Sequence, residues 1–127
     1  MRLEKRIADF LAQKKIAVVG ASRRRYKFGN KILLDLECRG YQVYPINPLA
    51  EEIEGIPCFP NLLAVPDQLD GVVFIVPPVE TEKVLKDVLT AKIPRVWLQQ
   101  GSESALALQF CEENDISVIS GVCILMV

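Results

Sequence analysis

The sequence predicts an α/β fold: a doubly wound, mainly parallel five-stranded sheet with helices on both faces. Three observations lead there. Short apolar runs alternate along the chain with stretches whose apolar residues recur at helical spacing. The apolar runs are apolar at consecutive positions, so both faces of each strand are covered, as in a parallel sheet between two helical layers. Each run is followed by enough chain for the right-handed crossover that joins parallel strands. With 127 residues, 50% of them hydrophobic, the chain has the size of one domain spanning 1–127 and can bury a core.

The elements follow in order. Leu3, Ile7, Phe10 and Leu11 share a helix face, so residues 1–14 carry an N-terminal covering helix, drawn over about 2–14. Ile16–Val19 is the first strand and ends at Gly20. Ile32, Leu33 and Leu36 mark a helix over 30–39, which Gly40 stops in the left-handed conformation. A second strand covers 41–46, closed by Asn47-Pro48, since proline lacks an N–H for the ladder and holds its predecessor extended. Residues 49–69 are broken by Gly55, Pro57, Pro60 and Pro66, leaving one helical turn at 61–65. A third strand at 71–76 stops at Pro77-Pro78, and Pro78 suits the start of a helix whose inner face is Val84, Leu85, Val88 and Leu89. The fourth strand covers 95–99. Ser102 is read as the cap of a helix carrying Leu106, Ala107, Phe110 and Cys111, and the fifth strand covers 116–119. Trp97, inside an apolar strand, is read as core.

Composition excludes several classes of function. Fifteen basic residues against 16 acidic give a formal charge of -1, unlike the basic domains that bind nucleic acid. The four cysteines form no C-x-x-C pair and the chain has no His, so a structural zinc site has no ligand set in sequence. The N-terminus is charged where a signal peptide is apolar, and no apolar run reaches the length of a membrane span, so a cytoplasmic protein with reduced thiols is expected.

In open parallel sheets, ligands bind beyond the carboxyl ends of the strands, where strand order reverses. Gly20-Ala21-Ser22, Asn47-Pro48, Val76-Pro77-Pro78 and Gln99-Gln100-Gly101 each follow a strand and are expected to converge there. A residue without a Cβ at the end of strand one allows close approach of a bound group such as a phosphate. Arg23, Arg24, Arg25, Lys27 and Lys31 add a local basic cluster to a nearly neutral chain, which suits a small anion. The dinucleotide fingerprint is absent: no G-x-G-x-x-G follows strand one, and strand two ends on Asn47-Pro48 instead of an acidic residue. There is no P-loop.

V-V-G-A-S at 18–22, G-Y-x-V-x-P-x-N-P at 40–48, E-I-x-G at 52–55, V-P-P at 76–78 and W-L-Q-x-G at 97–101 occur in one order and spacing. In this the chain resembles the small CoA-binding proteins with a Rossmann-like fold, similar to the nucleotide-binding domain of succinyl-CoA synthetase alpha subunits, from about residue 15 to 124. The resemblance implies coenzyme A, or an acyl-CoA, bound across the strand ends. Gly20, Ala21 and Ser22 would approach the diphosphate. Arg23, Arg24, Arg25 and Lys27 are candidates for the 3′-phosphate, where charge-assisted hydrogen bonds are the strong ones. Asn47 and Pro48 would line the nucleotide side, Val76, Pro77 and Pro78 would wall the crevice, and Gln99 with Gly101 would approach the pantetheine arm.

Plainer readings stand beside these. Gly20-Ala21-Ser22 also fits a tight turn, Asn47-Pro48 a strand stop, and the arginine run a solvated loop or partner surface, because three adjacent side chains cannot all face one ligand. Tyr26 and Phe28 are read as packing residues. The family often has a cysteine like Cys123 within a charged C-terminal pattern, whereas this chain ends Ile124-Leu125-Met126-Val127; Cys123 fits either a mixed disulfide with a CoA thiol or a structural role. Without His, the phosphohistidine step of succinyl-CoA synthetases has no residue here, so a non-catalytic binding or regulatory protein is expected. An enzyme or redox regulator using another nucleotide, such as NAD, in the same crevice remains the alternative. A homo-oligomer or partner complex through the apolar tail is a weaker one.

Overall fold

The computed structural model describes residues 1–127. Helix α1 (Leu3–Leu11) leads into β1 (Lys15–Val19), α2 (Phe28–Cys38) and β2 (Gln42–Ile46). A small hairpin, β3 (Glu52–Ile53) and β4 (Ile56–Pro57), precedes a 3₁₀ turn at Leu62–Ala64. Then come β5 (Gly71–Phe74), α3 (Pro78–Thr90), β6 (Arg95–Leu98), α4 (Ala105–Glu113), β7 (Ser117–Ser120) and a last 3₁₀ turn at Ile124–Met126.

The main sheet has the order β2-β1-β5-β6-β7, and every pairing in it is parallel. From β1 the chain winds outward to β2, returns to β5 beside β1, and winds the other way through β6 to β7. The reversal therefore lies between β1 and β5. Successive side chains of each strand point to opposite faces, and two cores result. Ala17, Val19, Val72, Phe74, Val96 and Leu98 meet Leu85, Val88, Ala107 and Cys111 of α3 and α4. Ile16, Val18, Val73, Trp97 and Ile119 meet Phe10 of α1, Ile32, Leu33 and Leu36 of α2, and Ile124. The expected α/β sheet with helices on both faces is thus observed.

Trp97 is fully buried, edge-on to Phe10 with ring centroids 5.3 Å apart, and its indole N–H donates to the Val122 carbonyl at 2.8 Å. Tyr26 differs from expectation: it is 79% exposed. Several boundaries also shift for identifiable reasons. The third strand ends at Phe74, because the Val76 N–H turns aside to donate to Ser102 Oγ at 3.0 Å. Ser102 is therefore no helix cap; Ser104 caps α4, its Oγ accepting from the Ala107 N–H. β7 starts at Ser117, since the Ile116 N–H closes the end of α4 on the Cys111 carbonyl. The one-turn helix expected near residue 61 is the 3₁₀ turn, capped by Asn61. The hairpin inside 49–69 was not foreseeable from periodicity, with strands of two residues each.

Candidate functional site

Val19 ends β1, and Gly20 follows with φ of +128°, a conformation that side chains rarely adopt. A Cβ built on Gly20 would lie 2.3 Å from the Ile75 carbonyl oxygen, and one on Gly29 would lie 2.4 Å from the Gly20 carbonyl oxygen. The two glycines let the end of β1, the end of β5 and the first turn of α2 meet backbone to backbone. Sequence reading found Gly20 but not Gly29, whose partner is nine residues away in the chain.

The first amides of a helix have no intrahelical acceptor and carry the positive end of its dipole. Lys27 precedes α2 as its N-cap residue and caps none of them with its side chain. Donors and a cationic side chain therefore gather where Gly20, Ala21, Ser22, Lys27, Phe28 and Gly29 form one side of a crevice of about 600 Å³, a volume typical of small-molecule sites. Ile46 at the end of β2 with Asn47 and Pro48 after it, Pro60, Asn61 and Leu62 leading into the 3₁₀ turn, and Ile75 and Val76 after β5 form its walls. Glu80, Val84 and Asp87 complete it from one face of α3. The floor can hold an anionic group by hydrogen bonds and charge. The α3 wall offers two carboxylates as acceptors beside an apolar strip.

Side chains fix the loops. Asn47 donates to the Ala21 carbonyl at 3.1 Å and accepts from the Leu49 N–H at 2.8 Å, tying the loop after β2 to the loop after β1. Asn30 of α2 accepts from the Ser22 N–H at 2.8 Å and donates to the Ser22 carbonyl at 2.7 Å. Burial raises the Cys58 thiol above its ordinary range, and the thiol lies 3.6 Å from the Asn47 carbonyl and 3.8 Å from the Phe59 carbonyl, to which it donates. That thiol stays neutral near pH 7.

The structure thus brings Gly20, Ala21, Ser22, Lys27, Asn47, Pro48 and Val76 to one crevice. Arg23 and Arg25 line an adjoining concavity of about 380 Å³ together with Ser22, Asn30, Glu52 and Glu54, and Arg24 is exposed. Pro77 and Pro78 form the start of α3 outside the crevice. Gln99 is buried, accepting from the Ile124 N–H at 2.9 Å and donating to Cys123 Sγ at 3.2 Å. Gly101 is exposed, its N–H donating to Glu103. The sequence places Val84 on an inner helix face without its role in this wall, and gives no reading of Glu80 and Asp87, although both lie at three- and four-residue spacing from it on α3.

Comparison with known proteins adds a family and a set of relatives. A family model described as a CoA binding domain matches residues 14–127. An ADP-forming acetate–CoA ligase II of Archaeoglobus fulgidus is 34% identical over 86% of this chain and 16% of its own length. The chain spans between 10% and 16% of the first three acetate–CoA ligases it matches. Among solved structures, a conserved hypothetical protein of Pyrococcus furiosus superposes with a TM-score of 0.85 and 38% identity, covering 90% of this chain and 98% of its own. A dinucleotide-forming acetyl-coenzyme A synthetase of Candidatus Korarchaeum cryptofilum, in complex with phosphate and ADP, superposes with a TM-score of 0.74 and 33% identity over 83% of this chain and 25% of its own.

Proposed function

Because the chain belongs to the CoA-binding domain family, we propose that it binds coenzyme A or an acyl-CoA in the crevice between β1 and β5, as a binding or regulatory protein without a catalytic step of its own. The observation that carries this reading is the double close approach at Gly20 and Gly29, which sets the uncapped start of α2 and Lys27 beside a backbone surface with no room for a side chain. Such a cradle fits a diphosphate. The 3′-phosphate then faces Lys27 and the basic loop at Arg23, Arg24 and Arg25, and Asn47, Pro48 and Val76 flank the nucleotide. The pantetheine arm leaves past Val76 towards Gly101 over loops that the protein closes with its own side chains, so the thioester end stays outside the crevice.

A non-catalytic role is supported by the residues around the crevice. The chain contains no His, and Cys58, whose thiol is held neutral by burial, is not among the residues lining it. No helix is long and apolar enough to cross a membrane.

Calorimetry with CoA, acetyl-CoA, dephospho-CoA and NAD tests the reading. CoA and acetyl-CoA should bind alike, and dephospho-CoA about tenfold more weakly, the worth of one charge-assisted contact. Binding of NAD in preference to CoA, or of neither, overturns the assignment.

A further inference from the structure

The hairpin next to the crevice contains a residue that local preference does not explain. Its two-residue turn is Glu54-Gly55, with φ of 52° and 77°. A two-residue hairpin turn with positive φ at both positions favours Asn, Asp or Gly first, because these tolerate the left-handed region and a Glu does not. Strained positions of this kind persist when surrounding structure holds them, and they gather at functional sites.

The Glu54 side chain does not extend into solvent as a turn glutamate ordinarily would. Only 5% of it is exposed. One carboxylate oxygen accepts from Asn30 Nδ2 at 3.0 Å and the other from Arg25 Nε at 3.2 Å. Asn30 is itself 1% exposed and uses its remaining groups on the Ser22 peptide. An ionised carboxylate only accepts hydrogen bonds, so Glu54 requires the NH₂ end of the Asn30 amide to face it. That orientation leaves the Asn30 oxygen towards the Ser22 N–H and the second amide hydrogen towards the Ser22 carbonyl. Both backbone polar groups of Ser22 are bonded to Asn30, which ties the turn that follows Gly20 to α2.

We infer that Glu54 is a positioning residue for the crevice: acting through Asn30, it fixes the Ser22 peptide and so the shape of the phosphate-binding turn. The inference rests on the proposed CoA site and adds to it a residue on a hairpin that does not line the crevice. Its ion pair with Arg25 is secondary, because the Arg25 side chain is 86% exposed and solvent screens such pairs.

The test combines calorimetry with amide spectra of the ligand-free protein. Glu54→Gly suits the backbone of the turn and removes the carboxylate; Glu54→Gln keeps an acceptor for Asn30. Glu54→Gly should weaken CoA binding about five- to tenfold, the worth of roughly one hydrogen bond, whereas Glu54→Gln should stay within about twofold of the parent. In an Asn30→Ala background Glu54→Gly should cause no further loss, and in an Arg25→Ala background its effect should persist. In ligand-free spectra the Ser22 N–H and the Asn30 side-chain NH₂ should move in Glu54→Gly and not in Arg25→Ala. Parent-like affinity in Glu54→Gly, or a loss undiminished without Asn30, overturns the inference. Should the parent protein fail to bind CoA, the site assignment falls by itself, and unmoved Ser22 and Asn30 signals in Glu54→Gly would separately overturn the relay.

Discussion

The carboxyl edge of the sheet has two halves built to opposite ends. On the side of β2, β1 and β5, the strand ends part around a crevice, and the helix start that faces it has no side-chain cap. On the side of β6 and β7, equivalent positions are closed by the chain itself: Ser102 takes the Val76 N–H, Gln99 takes the Ile124 N–H, and Trp97 donates to the Val122 carbonyl. Arg39, the C-cap residue of α2, adds a bond to the Ile124 carbonyl at 3.1 Å. The open half leaves the start of α2 without a side-chain cap; the closed half satisfies its loop groups internally and gains stability, since a buried polar group without a partner is costly. Strand-end topology says where a crevice can open, and the partners of the loop groups say which part of the edge stays open.

The open half is most vulnerable at Gly29. Gly29→Ala drives a methyl group into the Gly20 carbonyl, so α2 must move off the turn. Stability should fall by about 2–3 kcal/mol, as for overpacked sites, and CoA affinity by about a hundredfold, read by thermal unfolding and calorimetry. The closed half should respond in stability alone. Ile124→Ala removes a fully buried side chain from the core between the sheet, α1 and α2 and should cost about 2–4 kcal/mol, while CoA affinity at the folded state is unchanged. Lys27→Ala should do the reverse, weakening CoA about tenfold with no measurable loss of stability, because its exposed side chain serves no internal contact.

The smallest effect concerns two groups that do not line the crevice. Burial pushes the Cys111 thiol up to about 11, and it raises Tyr44 as well, with Asp67 beside its hydroxyl adding to the shift. In the unfolded chain these groups lose their protons at lower pH, so the unfolded state binds fewer protons than the folded state above about pH 9. The stability they contribute is complete below the unfolded thiol's range and is lost as pH rises towards 11. Unfolding midpoints should decline over that interval, less steeply in Cys111→Ala, with CoA binding unaffected where the protein is folded.

Much of the open half was legible from residue order. Gly20-Ala21-Ser22, Asn47-Pro48 and Val76 each follow an apolar run directly, and a parallel sheet must bring such segments to one edge. Gly29, Glu80, Val84 and Asp87 reach the crevice through helix packing, which periodicity locates on a face without saying what that face meets. Gln99 and Ser102 show a different limit. A polar residue after a strand looks the same in sequence whether it faces a ligand or a neighbouring loop, and both are buried against their own chain. The three arginines likewise read as one cluster, yet Arg23 and Arg25 stand beside the hairpin while Lys27 alone of the basic loop lines the crevice. Glu54 had no sequence signal except its unusual place before Gly55 in a turn.

The most direct measurement is an amide-resolved titration of the protein with CoA by ¹H–¹⁵N NMR. Binding of CoA in the crevice should place the largest shifts on Gly20 to Ser22, Phe28, Gly29, Asn47, Asn61 and Val76, with Ser117 to Ser120 and Val122 to Ile124 unmoved. Shifts centred on the ends of β6 and β7, or none at saturating CoA, would contradict it.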